Sequence, residues 1–107
     1  MLFATLRLFP SPKERPQVLE ILHSVKDMTA LRSGCLGCWL SDGDSRHNHV
    51  QYIEQWTSED ELYEHIRSDM YRRVLAAMEL SRHPPEVQFH YVSSARGMEL
   101  IEAVRSE

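Results

Sequence analysis

With 107 residues, the chain has room for one domain and one modest core, and a second domain is excluded on size. At 42% hydrophobic and 26% charged residues it has the make-up of an ordinary globular protein rather than a disordered or fibrous one. The 12 basic residues are outnumbered by 16 acidic ones, for a net charge of -4, which argues against a phosphate-backbone binder and hence against a nucleic-acid partner.

No apolar run approaches the roughly 20 residues that span a bilayer, so no membrane partner is expected. The first residues, MLFATLRLFPSP, alternate like a strand and lack a basic stretch ahead of an apolar one, so a cleavable leader is not expected and a cytoplasmic address is the default. In that compartment Cys35 and Cys38 are expected to be reduced thiols.

Leu2 to Phe9 reads as a strand, with Leu2, Ala4, Leu6 and Leu8 on one face and Phe3, Thr5, Arg7 and Phe9 on the other. Pro10 and Pro12 end it. From about Arg15 or Pro16 the series Val18, Leu19, Ile21, Leu22, Val25, Met28, Leu31 recurs at helical spacing, with Pro16 suited to a first turn and Ser33-Gly34 as the stop. Cys35 to Leu40 is a short strand, and SDGDSRHN reads as a hairpin loop leading to a strand over Val50 to Thr57. That strand sets Val50, Tyr52, Glu54 and Trp56 on one face.

Ser58 followed by Glu61 predicts a capping box at the next helix start. Leu62, Ile66, Met70, Val74 and Met78 continue it as an i, i+4 stripe with Leu75 beside it, and Ser68 marks a kink or break. His83, Pro84 and Pro85 stop this helix. Glu86 to Val92 follows as a fourth strand, and the tail from about residue 95 to 107 reads as an arm or, over Met98 to Val104, a short helix.

The order β-α-β-β-α-β with a tail is the ferredoxin-like α+β arrangement: one antiparallel sheet with both helices on one face and one domain over residues 1 to 107. Helices then cover only one side of a sheet whose first strand is apolar on both. A homodimer is therefore expected, since a symmetric pairing lets one patch serve twice.

Several short motifs sit at telling places in this order: Arg32-Ser33-Gly34-Cys35-Leu36-Gly37 into the second strand, Glu54-Gln55-Trp56 with Ser58, and Leu62-Tyr63-Glu64-His65 running into Ser68. Through them nearly the whole chain resembles the antibiotic biosynthesis monooxygenase domain family of dimeric α+β barrels. The resemblance implies a pocket between sheet and helices and, in the family's oxygenases, chemistry without metal, flavin or other cofactor. A deprotonated phenol or hydroquinone reduces oxygen itself, and the protein takes the proton, holds the anion and keeps water out. It thus implies a cofactor-independent monooxygenase of small aromatic or quinol-type substrates, with His65, Trp56 and Tyr52 catalytic and Arg7, Glu54, Tyr63 and Tyr71 binding substrate. Phe3, Phe9, Val18, Met70 and Phe89 are expected to shape the pocket. The alternative is a small-ligand-binding or stress-response barrel without turnover, or a dimer whose cavity is filled by its own side chains.

Read from position alone, His65 lies at the border of the apolar stripe, where a half-exposed ring bonded to a backbone carbonyl would tolerate replacement by Ala. Glu54 reads as a second proton acceptor or as an ion-pair partner of Arg7 on a neighbouring strand, and Arg7 and Tyr71 as side chains with wet polar ends. The family's haem-degrading branch would need an iron-binding His near Leu75, a Trp at His65 and an Asn near Arg7, and this chain departs at all three. Cys35 and Cys38, three apart in an extended strand, should point to opposite faces, so with His47 and His49 they could hold zinc only through a knuckle turn at Gly37. No metal site is expected.

Overall fold

A computed structural model describes residues 1–43 and 48–106. The elements are β1 (Leu2–Leu8), α1 (Arg15–Thr29), β2 (Cys35–Ser41), β3 (Val50–Trp56), α2 (Glu59–Arg67), α3 (Tyr71–Glu79), β4 (Glu86–Tyr91) and α4 (Met98–Arg105). All strand pairs are antiparallel in the order β2-β3-β1-β4, which is the expected ferredoxin-like α+β topology. Residues 44–47, which include His47 and half of the hairpin loop, lie outside the described residues.

The alternation in β3 decides what faces inward. Val50, Tyr52, Glu54 and Trp56 are all buried beneath the helices, and register sets them opposite Leu8, Leu6, Ala4 and Leu2 of β1. Val18, Leu22 and Val25 of α1 with Val74 and Ala77 of α3 close the main core over this face. A satellite of Leu2, Trp56 and Leu62 lies under α2.

Local chemistry sets the ends. Ser58 caps α2 by accepting the Glu61 amide at 3.4 Å, but the Glu61 carboxylate accepts from Ser33 instead of returning to the cap, so the predicted box is only half formed. At the break predicted near Ser68, the hydroxyl donates to the His65 carbonyl at 2.6 Å and ends α2 rather than starting α3. α1 stops two residues short of the last apolar position of its stripe, and Leu31 is 88% exposed. α4 has no buried residue, and Met98, Ile101 and Val104 are open on it. No helix among the described residues is long and apolar enough to cross a membrane.

Gly34, in the turn between α1 and β2, has φ of +85°, and its carbonyl accepts from the Thr57 amide at 2.9 Å. A Cβ there would lie 2.6 Å from the Cβ of Glu61. Gly34→Ala should therefore cost about 1–2 kcal/mol for the left-handed backbone, plus the shift forced on Glu61. Urea denaturation checks this, and an unchanged midpoint would refute it.

Candidate active site

Three consecutive inward positions of β3 carry polar atoms into the core, and α2 lowers His65 onto them. The Trp56 indole Nε1–H donates to Glu54 Oε1 at 3.0 Å, and His65 Nε2 lies 3.0 Å from Glu54 Oε2. With the carboxylate ionised, both nitrogens donate and each oxygen has a partner. The His65 ring sits 5.0 Å from the Trp56 ring and 5.3 Å from Tyr71, which meets it edge-on at 87°. His65 is 0% exposed and Glu54 is buried.

This corrects two sequence expectations. His65 is not a border residue, because Leu62 and His65, three apart, together form the buried face of α2. Glu54 does not pair with Arg7, since the two side chains leave opposite faces of the sheet. Arg7 lies opposite Glu86 in the β1–β4 register and pairs with it on the exposed outer face, at 3.5 Å.

A cavity of about 20 Å³ adjoins the cluster, walled by Tyr52, Glu54, Tyr71, Val74, Met78 and Phe89. That is space for about one water-sized molecule. Its outer rim is β4, where inward-facing Val87 and Phe89 stay exposed because the helices do not reach that edge. Tyr52, Glu54 and Tyr71 thus touch the cavity, while His65 and Trp56 stand behind Glu54. Tyr63 is elsewhere: half-exposed on α2, it donates to Glu59, as does Tyr91. Among the residues expected to shape a pocket, Phe89 lines the cavity, Phe3 faces the outer side of the sheet, and Val18 is core.

Burial and then the neighbouring Glu54 carboxylate push the Tyr52 phenol far up, so it remains a protonated donor at neutral pH. The same two causes raise Tyr71. The Tyr52 hydroxyl lies near Glu54, Thr29 and Cys38 without a well-formed hydrogen bond, and Thr29 Oγ1 and His65 Nδ1 are likewise buried without a partner. Thr29 was not anticipated here. The signal was its place in the stripe Val18, Leu22, Val25, Thr29, which puts a hydroxyl on the buried face of α1.

No cluster of three or more His, Cys, Asp or Glu suited to a metal exists among the described residues. Leu75 is exposed.

No family model and no curated protein matches the chain. Among solved structures it is similar to a provisional antibiotic biosynthesis monooxygenase of Deinococcus radiodurans, at 17% identity over 92% of this chain and 98% of that one, with a TM-score of 0.81. Rv0793 of Mycobacterium tuberculosis gives 21%, 90%, 98% and 0.79, and a further structure described as an antibiotic biosynthesis monooxygenase gives 22%, 88%, 100% and 0.76. The chain has the fold of the antibiotic biosynthesis monooxygenase structures, the family that its sequence motifs resemble.

Proposed function

We propose that the chain is a cofactor-independent monooxygenase of small aromatic or quinol-type substrates, with Glu54 as the proton acceptor at the cavity and His65 as its buried partner. The observation that carries this reading is the Glu54–His65 contact of 3.0 Å inside the core, with the carboxylate also in the cavity wall. A phenol entering from the open β4 rim would meet Glu54 as acceptor and Tyr52 as donor. Its proton passes to the Glu54–His65 pair, and the resulting anion supplies the electrons that reduce dioxygen. One oxygen atom enters the ring and the other leaves as water, so that a phenol and dioxygen become a quinone and water.

The small free volume favours a second reading, in which Tyr71, Met78 and Phe89 fill the space and the cluster is structural. For a substrate to enter, these three side chains must make room for it. Oxygen-electrode traces with a panel of hydroquinones and phenols decide between the readings: substrate-dependent uptake supports the oxygenase, and uptake equal to buffer with every compound supports the filled core.

The proposed working unit is a homodimer joined mainly through the outer sheet face. Phe3, Ile53 and a Trp39 that is 50% exposed line a wide apolar hollow there, and the apolar side chains of α4 lie open as well. A soluble chain gains by covering such a surface. Light scattering across a size-exclusion peak should give twice the chain mass, and a stable monomer at micromolar concentration with intact circular dichroism would remove this part of the proposal.

A further inference from the structure

Side chains three apart in a regular strand leave on opposite faces, yet Cys35 and Cys38 share one. A bulge in β2 is the reason. Cys35 pairs with Trp56 and Cys38 with Glu54, so three steps along β2 match two along β3, with the register shift between Cys35 and Gly37. The ring of Trp39 lies over Gly37, where a Cβ would come within 2.7 Å of it. The bulge thus overturns the expectation of opposed thiols.

Its result is a Cys35 Sγ to Cys38 Sγ distance of 3.5 Å, with both thiols free and half-buried. Because the two residues face positions two apart on β3, their Cα atoms are roughly 7 Å apart, against about 4.4–6.8 Å across most disulfides. Bonding needs only a small further closure of the bulge. The pair also borders the candidate site, since Cys38 lies beside Tyr52 and Glu54.

We propose that Cys35 and Cys38 are a reversible dithiol–disulfide couple, closed by a soluble two-electron oxidant such as a peroxide or a small disulfide, in the wall of the buried Glu54–His65 cluster. Burial, and then the hydrogen bond with Cys35, pushes the Cys38 thiol up to about 12, so it remains protonated at neutral pH. Cys35 is accordingly the attacking sulfur and Cys38 the resolving one. With hydrogen peroxide, Cys35 attacks one oxygen, the O–O bond breaks, and the thiol proton leaves with the departing oxygen as water. Cys38 then attacks the Cys35 sulfenic acid, and its proton leaves with the hydroxyl as a second water. Two thiols are oxidised to one disulfide while one peroxide is reduced to two waters. With a small disulfide, exchange gives the same bond and two reagent thiols.

The test treats the full chain with graded hydrogen peroxide, and separately with glutathione redox buffers, followed by acid quench, alkylation and mass spectrometry. The expected result is joint loss of both thiols, a chain lighter by two hydrogens, an internal bridge in the peptide holding both cysteines, and full recovery with dithiothreitol. In Cys38→Ser, Cys35 should instead carry a sulfenic acid or a glutathione adduct. Closure should be faster in the folded chain than in urea, because the bulge presets the sulfurs. Independent alkylation of the two cysteines at every oxidant level, bridges only between chains, or equal rates folded and unfolded would each overturn the proposal.

Discussion

Glu54→Gln is expected to fold like the wild type and to lose turnover by roughly two to four orders of magnitude, the usual contribution of a positioned general base. The amide has the carboxylate's shape. Its oxygen can accept from the Trp56 indole, and its NH₂ can donate to His65 Nε2 once the ring carries its proton on Nδ1 instead. The buried hydrogen bonds survive, but the group in the cavity wall no longer accepts a proton. Steady-state oxygen uptake, with a urea curve showing the variant folded, measures the effect. A folded Glu54→Gln with wild-type turnover would move the proton acceptor elsewhere.

His65→Ala should behave in the opposite way, failing first in stability. Removing the ring leaves Glu54 buried with one donor in place of two and opens a gap between Trp56 and Tyr71. Deleting one partner of a buried carboxylate costs roughly 3–5 kcal/mol, a large part of the ~5–15 kcal/mol that holds a domain folded. A double variant that also carries Glu54→Gln should lose less than the two single changes together, because the stranded charge is gone. Urea midpoints of the four proteins give the coupling directly. If His65→Ala costs less than about 1 kcal/mol, the ring is not the partner that keeps Glu54 in the core.

These two residues also show where sequence reasoning succeeds and where it stops. The inward set Tyr52, Glu54 and Trp56 follows from strand parity, and the α2 start follows from the Ser58 hydroxyl, because both are local effects. Full burial of His65 depends on how α2 lands across β3, and the stripe alone left the residue on its border. Arg7 shows the missing register: parity places it on the outer face, but only the pairing of β1 with β4 brings Glu86 opposite it. In β2 a single irregularity beside Gly37 reverses the expected facing of the two cysteines, and nothing in the residue types announces a bulge there. The tail was legible only as a helix or an arm, and its lack of any buried contact depends on what lies beside it.

The proposed monooxygenase reaction splits dioxygen between product and water, and a turnover in isotopically labelled dioxygen measures that directly. With a hydroquinone or phenol that supports oxygen uptake, mass spectrometry of the product should show one labelled oxygen atom per molecule with the wild type, and almost none over the same time with Glu54→Gln. A product whose added oxygen comes from water, or dioxygen released entirely as hydrogen peroxide, would contradict the monooxygenase assignment.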